Sequence, residues 1–334
     1  MTQTYAHLNE IIQGDCLEVM KDIPDGSVDL VVIDPPYNIG KDARWDKWET
    51  VDAYVEFMGE VFTECERVLK DSGSFYWFHN DMAQIRKLMG ELDERTDFVY
   101  KQFIVWNKRF EDSRLKYYLD GHVAVNGLRN YKLMAEYCLF YTLQDELEYV
   151  KGFDIIRDYL REEAISAFGH VNGMNTFLGF TEKGGMATRK YLGQTQFYIP
   201  TEEHYTRLQE TGYFKKPYTE LKKMYENARY TFNNQRTHHS VWNYEVAPKV
   251  GHVTPKPVEL IENIIRHSSN EGDIVLDCFL GSGTTAVAAI NTGRQFIGIE
   301  QEPEYVEIAR QRISEAHESL VNQKEVNECI TQET

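Results

Sequence analysis

The 334-residue chain is short of cysteine, of positive charge and of long hydrophobic runs. Its five cysteines, Cys16, Cys65, Cys138, Cys278 and Cys329, are scattered, and no CxxC pair occurs. An odd, dispersed set argues against a disulfide framework or a zinc ribbon and fits reduced thiols. No stretch of 18 apolar residues exists, which excludes a membrane-spanning helix. Met1 to Glu10 lacks a charged-then-apolar leader, so a cytoplasmic protein with no membrane partner is expected. His238-His239 has no acidic or cysteine partner at ligand spacing, so no metal is expected. There is no internal repeat and no low-complexity tract. The formal net charge of −17 excludes a histone-like DNA-coating protein and a polybasic membrane binder.

Local charge differs from the total. Residues 101–132 carry a net +4 and residues 183–249 a net +5, leaving −26 for the rest. A polyanion would dock on these two basic islands. In the second, aromatics interleave with cations: Arg189-Lys190-Tyr191, Lys215-Lys216-Pro-Tyr218 and Arg229-Tyr230.

Hydrophobic periodicity outlines an α/β protein. Ser27 to Ile33 reads as a buried strand stopped by Pro35 and Pro36, which cannot donate to a sheet ladder. Helical spacing follows from Val51 to Leu69, with Asp71-Ser-Gly73 as its stop, and Ser74 to Phe78 is the next strand. Strand, helix, strand signals a parallel sheet. Phe98–Asn107 and Glu136–Thr142 give two more strands. The rhythm breaks over 145–245, then returns with a helix over Val258–Ile265 and a strand over Asp273–Asp277. A turn into a helix at Ala286–Asn291, a strand over Gln295–Ile299 and a helix from Pro303 to about Ala316 complete it. The polar tail after Leu320 reads as frayed. Residues 1–144 and 246–334 thus form one expected domain, with 145–245 inserted.

Two constellations carry chemistry. Asp277-Cys-Phe279-Leu-Gly281-Ser282-Gly283-Thr284-Thr285 places glycines after a strand and before a helix, where backbone can approach a ligand closely. Glu300, ending the next strand, suits two ribose hydroxyls. No lysine follows the glycines, so this is not a phosphate-binding P-loop. Gly281-x-Gly283-x-x-Ala286 by itself also matches a dinucleotide fingerprint, which keeps an NAD-dependent oxidoreductase open. The second constellation, Asp34-Pro35-Pro36-Tyr37-Asn38, sets a carboxylate, carbonyls and an aromatic ring at a strand's carboxyl end, the place where open α/β sheets bind ligands. Such a set can accept hydrogen bonds from an amine and stack on a flat base.

Together these motifs make the chain resemble the S-adenosylmethionine-dependent DNA amino methyltransferases, in their permuted β group. There the Asp-Pro-Pro-Tyr motif lies N-terminal and the Phe-x-Gly-x-Gly motif C-terminal; here about 240 residues separate Tyr37 from Phe279. The resemblance implies a Rossmann-like class I methyltransferase fold. Its mostly parallel sheet carries helices on both faces, and the 145–245 insertion is a mainly helical target-recognition module. It implies Asp15 and Cys16, in Gln13-Gly-Asp15-Cys16, beside the cofactor's adenine, and Glu300 on its ribose. His252, Thr254 and Lys256, in a segment like His-Pro-Thr-x-Lys-Pro that lacks the first proline, fall near its methionine end. Phe103-Ile-Val-Trp-Asn-Lys108 and Ala135-Glu-Tyr-Cys-Leu-Phe140 resemble later strands of the same domain. Asp34, Pro35, Pro36 and Tyr37 are implied catalytic, Asp34 also bordering the cofactor, and Tyr37 stacks on a base flipped out of double-stranded DNA. Asp277, Phe279, Gly281, Ser282, Gly283, Thr284 and Thr285 are implied in cofactor binding.

The family uses no covalent enzyme intermediate, and the Pro-Cys of the cytosine-C5 enzymes is absent. Adenine N6 is the favoured acceptor by analogy, with cytosine N4 left open. Lys108, Arg109, Arg114 and Lys116 in the first island, and Thr188, Arg189, Lys190, Lys215 and Lys216 in the second, are the expected DNA contacts. Helical pieces at Ile155–Phe168, Met174–Leu178 and Ala187–Leu192 are compatible with a helix-turn-helix. A homodimer and a cognate restriction endonuclease are further partners the family suggests. A non-catalytic DNA-binding protein is the alternative from another class, against which the intact Asp34, Tyr37, Gly281 and Gly283 stand.

Overall fold

The computed structural model describes residues 7–40, 42, 44–117, 133–143, 146–193, 197–228, 239–248 and 255–332. The chain divides into two compact units, Met1–Leu143 with Thr231–Thr334, and Gln144–Tyr230.

The first unit is built on eight strands: β1 (Glu10–Gln13), β2 (Val28–Ile33), β3 (Leu69–His79), β4 (Val99–Asn107), β5 (Ala135–Thr142), β6 (Val241–Asn243), β7 (Ile274–Asp277) and β8 (Gln295–Glu300). They lie in the order β1-β8-β7-β2-β3-β5-β4-β6. Every pairing is parallel except those of β5, which runs antiparallel to both β3 and β4. β2 and β7, far apart in sequence, are neighbours (Leu30 beside Val275), so the ends of the two motif-bearing strands open side by side.

Alternation along the strands feeds two cores. Val31, Ile33, Phe75 and Trp77 face one side, packed with the buried faces of α1 (Cys16–Met20), α2 (Val51–Val68) and α3 (Met82–Arg95). Leu30, Val32, Tyr76 and Phe78 face the other, with α9 (Val258–Ser268), α10 (Thr284–Asn291) and α11 (Pro303–Gln332). Strands apolar on both faces are what a sheet covered by helices on both sides requires. No helix among the described residues is long and apolar enough to cross a membrane.

The second unit holds α4 (Glu146–Phe168), α5 (Gly173–Phe177), α6 (Met186–Tyr191), α7 (Glu202–Gln209) and α8 (Tyr218–Ala228) around its own core of Ile156, Leu160, Met174, Tyr205 and Phe214. The Thr201 hydroxyl caps α7 by accepting from the His204 amide at 3.3 Å.

Four local expectations are revised. Asp71-Ser-Gly73 is not a helix stop: α2 ends at Val68, and 71–73 belong to β3 around a register shift against β2. α11 does not fray after Leu320 but continues to Gln332. Val241-Trp-Asn243, within the expected insertion, joins the main sheet beside β4, so the contact division falls at Tyr230 rather than 245. α3 carries a stripe of Ile85, Leu88 and Leu92 that the strand-by-strand reading passed over.

Candidate active site

β2 ends at Ile33, and the two prolines turn the chain out of the sheet. The turn is tied from three sides. The Tyr54 hydroxyl donates to the Pro36 carbonyl at 2.8 Å, and the Gln84 side-chain amide donates to the Tyr37 carbonyl at 3.1 Å. Asn38 holds a left-handed conformation (φ 52°), and its side chain accepts from the Trp48 amide at 3.1 Å.

The Asp34 carboxylate, 26% exposed, is at the centre of a charge cluster. Its Oδ1 accepts from the Tyr37 hydroxyl at 2.6 Å and its Oδ2 from the Lys256 ammonium at 2.5 Å. Lys256, 6% exposed, also lies 3.1 Å from Glu136 Oε2 and 3.2 Å from the Tyr37 hydroxyl. The other oxygen of Glu136 takes the Lys108 ammonium. Two carboxylates and two ammonium groups therefore alternate. Burial pushes the Glu136 carboxyl up, but the ammonium groups of Lys256 and Lys108 outweigh it and hold the group below the usual carboxylate range. Burial would lower the Lys256 ammonium; Asp34 and Glu136 more than compensate and raise it. The Tyr37 hydroxyl is driven upward by burial first and by the Asp34 charge second.

Tyr37 itself is 4% exposed. Its ring lies 4.7 Å from that of His79, and the Lys256 ammonium stands 5.5 Å from its centroid. Burial lowers His79 to about 4, keeping the imidazole neutral at physiological pH.

On the neighbouring strand, β7 delivers Asp277. Its carboxylate accepts from the Phe279 amide at 3.0 Å and the Thr285 hydroxyl at 2.6 Å. Glu300, at the end of β8, accepts from the Gly281 amide at 2.7 Å and the Glu302 amide at 2.8 Å. Gly283 has φ +82°, and a Cβ there would meet Ala309 of α11 at 2.9 Å, so only glycine suits both backbone and packing. Arg312 donates to the Ser282 carbonyl and hydroxyl at 2.6 and 2.9 Å and to the Thr284 hydroxyl at 3.2 Å, bracing the loop from α11.

Both motifs line one cavity of about 360 Å³, together with Asp15, Cys16, Trp45, Trp48, Phe57, Lys256, Phe279, Ser282, Thr284, Thr285 and Glu300. Asp15 also caps α1, accepting from the Leu17 amide at 2.9 Å. Gly283 supports the loop from behind and is not in the lining. Trp48 packs 5.0 Å from Tyr54 and 5.3 Å from Phe57, and Arg44 pairs with Glu302 at 3.1 Å, pinning the segment after the Pro-Pro turn. His252 and Thr254 lie outside the described residues, as do Arg229, Tyr230 and His238.

Burial raises the Asp277 carboxyl from the ordinary aspartate value of 3.8 to about 7. Between these values the folded chain holds a proton that the unfolded chain has lost, so this group makes stability fall as pH rises toward 7 and level off above it. Asp277→Asn is expected to remove that slope. Wild type and variant compared by urea unfolding at pH 5, 6, 7 and 8 should diverge over the lower three values; parallel profiles would refute the assignment.

The expected DNA contacts fare unevenly. Lys108 is spent on Glu136 and on the face of Trp106, 4.5 Å from its centroid. Arg109 donates to the Lys116 carbonyl at 2.6 Å, Arg114 pairs with Glu245 at 3.1 Å, and Lys116 is 3.7 Å from Glu111. The Thr188 hydroxyl is held by the Asn175 amide at 2.8 Å, so this side chain fastens the α5–α6 turn. Arg189 and Lys215 are exposed, Lys190 stands 5.8 Å from the Tyr198 ring centroid, and Lys216 pairs with Glu220 at 2.5 Å. Glu136 and Arg312 were not singled out from the sequence. A lone carboxylate in an otherwise apolar strand was the available signal for the first; the second gave none.

Comparison with known proteins agrees with this arrangement. A family model described as DNA methylase matches residues 28–311. The chain is 30% identical over 318 residues to the DNA adenine methyltransferase YhdJ of Escherichia coli, covering 92% of this chain and 83% of that protein. It is 29% identical to the type II methyltransferase M1.MboII of Moraxella bovis, covering 96% and 99%. Among solved structures, a DNA modification methylase of Thermus thermophilus, complexed with S-adenosyl-L-methionine, superposes with a TM-score of 0.51 at 20% identity, covering 92% of this chain and 95% of that one. The PvuII cytosine-N4-specific DNA methyltransferase superposes at 0.53 with 16% identity, covering 96% and 97%. The match over residues 28–311, across both motifs, shows that this chain belongs to the N6/N4 DNA methylase family.

Proposed function

We propose that the chain moves a methyl group from S-adenosyl-L-methionine to the exocyclic N6 of an adenine turned out of double-stranded DNA. The observation that carries this reading is that Asp34-Pro-Pro-Tyr37 and the Gly281 loop line one cavity. Six carboxylates line it (Asp15, Asp34, Asp46, Asp277, Glu300, Glu302) against three cations (Arg44, Lys47, Lys256), which suits a cationic ligand with ribose hydroxyls. When bound, the cofactor supplies an electrophilic methyl group on a sulfonium. Glu300 would take the ribose, Asp15 the adenine amine, and Ser282 to Thr285 the end nearest Asp34.

The chain's own contribution is positional and electrostatic. An aromatic amine is a poor nucleophile because its lone pair is conjugated with the ring. Asp34 and the Pro35 carbonyl accept its two N–H groups and favour the tetrahedral nitrogen that can attack. The base must leave the stack, since its amine is otherwise paired. The adenine reading draws on the name of the Escherichia coli relative and on aspartate at the first motif position. DNA from cells expressing the protein, digested to nucleosides and sequenced for modified positions, gives base and site together. N6-methyladenine at one short sequence is the expected result; N4-methylcytosine would transfer the proposal to that base, and no modified base would overturn it.

Residues 144–230 are read as the target-recognition module, with α5 and α6 as a helix-turn-helix and Arg189, Lys190 and Lys215 as cations for the DNA backbone. In this reading the order of motifs is that of the permuted β group. Lys215→Glu with Lys216→Glu is expected to weaken DNA binding and flatten its salt dependence, by about 0.9 in log–log slope per lost phosphate contact. An unchanged slope would place DNA on another surface.

A further inference from the structure

We propose that Lys256 reads the ring nitrogen beside the reactive amino group of the flipped base, with Glu136 as its anchor. The inference rests on the methyltransferase reading above and concerns how the acceptor base is chosen. On the Watson–Crick edge, adenine and cytosine both present an amino donor next to a bare ring nitrogen. Guanine and thymine present a carbonyl next to a ring N–H. A site for the first pair must set an acceptor beside a donor.

Asp34 is the acceptor, and two donors adjoin it. The Tyr37 hydroxyl has a single proton and gives it to Asp34 Oδ1 at 2.6 Å. The Lys256 ammonium has three N–H groups, one on Asp34 Oδ2 at 2.5 Å and another facing Glu136 Oε2 at 3.1 Å. Lys256 stands on the very oxygen an incoming amine needs and 3.2 Å from the Tyr37 hydroxyl. Arrival of the amine displaces it from Asp34 but not from Glu136. Glu136 is buried, shares its other oxygen with Lys108 and stays ionised. The ammonium is then kept within one side-chain movement of Asp34, and its freed N–H meets the ring nitrogen. A guanine or thymine would bring its carbonyl against Asp34 and its N–H against the ammonium, two mismatches at once.

The test uses a duplex carrying the methylation site mapped as above, with the target adenine replaced by 1-deazaadenine. This analogue keeps the amino group and exchanges the ring nitrogen for C–H. Wild type is expected to lose about 10- to 100-fold in kcat/KM and in duplex affinity measured by fluorescence anisotropy. Lys256→Met is expected to be weakened on ordinary adenine and then to lose less than about twofold more on the analogue. Lys256→Arg restores a donor and with it a penalty for the analogue. Should Lys256→Met fail to fold, Glu136→Gln, which loosens the anchor and keeps the lysine, is expected to shrink the wild-type penalty. An equal penalty in wild type and variants, or none in wild type, overturns the proposal and leaves the methyltransferase reading standing. Failure of wild type to methylate the unmodified duplex overturns both.

Discussion

Asp34→Ala stops methyl transfer by about 10³-fold or more in kcat and leaves cofactor binding within a few-fold of wild type. The split follows from which strands hold what. Most residues placed around the cofactor belong to the start of α1, the ends of β7 and β8 and the start of α10, braced by Arg312 from α11, and Asp34 is one of six carboxylates in the lining. Asp34 stands at the end of β2, and its carboxylate makes no bond to that loop among the contacts described. Removing it leaves one carboxylate, Glu136, for two ammonium groups, but Lys256 keeps that carboxylate at 3.1 Å and the Tyr37 hydroxyl at 3.2 Å. Turnover is therefore compared on folded protein, in which the acceptor for the amine is lost. Asp34→Asn, which keeps a carbonyl oxygen, should fall between wild type and the alanine variant. Incorporation of labelled methyl groups measures turnover and calorimetric titration measures cofactor affinity. Turnover within tenfold of wild type in Asp34→Ala would sink the catalytic assignment.

Glu136→Ala is expected to do the reverse, costing stability first, by about 3–5 kcal/mol. Two ammonium groups rest on this one carboxylate, and Lys256 is nearly as buried as Glu136 itself. Without it, Lys256 retains Asp34, Lys108 loses its bond to Glu136, and the cluster keeps two ammonium groups against one carboxylate. The gain from pairing in such places only just exceeds the cost of leaving water, so removing one member exposes the full penalty of the other. Glu136→Gln keeps shape and one acceptor and should cost less. Urea unfolding monitored by tryptophan fluorescence reads the difference as a midpoint shift; an unchanged midpoint would show that solvent reaches these lysines.

What the sequence revealed follows from which interactions are local. β2 was legible because Val and Ile run into a proline pair, and α2 because its apolar residues repeat at helical spacing. α7 likewise carries local signals, the Thr201 cap and the acids of its first turn. β6 was not: Val241-Trp-Asn243 is too short to show alternation, and only its pairing with Val105, Trp106 and Asn107 makes it a strand. The extension of β3 through Asp71-Ser-Gly73 was hidden for a related reason, since those residues carry turn chemistry and are drawn into the strand by pairing with β2. In the site, Asp34, Tyr37, Asp277 and Glu300 were legible from glycines, prolines and acids at strand ends. The Lys256–Asp34–Glu136–Lys108 cluster was not. Its members sit on separate elements, and a lysine in a loop reads equally as a phosphate contact or as half of a buried pair. Lys108 illustrates this, having been assigned to DNA by its basic surroundings and found on Glu136.

The adjacency of β2 and β7, with β1 paired to β8, also bears on how the protein is made. Of the described strands β1 is made first, and the sheet neighbour it needs, β8, is made last. Leu30 meets Val275 only after some 245 intervening positions have been synthesised. Closing so long a loop adds little to the equilibrium cost, since each doubling of length adds about 0.6 kcal/mol. Its effect is kinetic: non-local parallel pairing is slow, and the edge of β2 stays open until β7 arrives. A nascent chain cut short before β7 carries Asp34 and Tyr37 but no glycine loop, so it has one motif of the pair and no cavity. The site comes into being only once β7 and β8 have been made and paired.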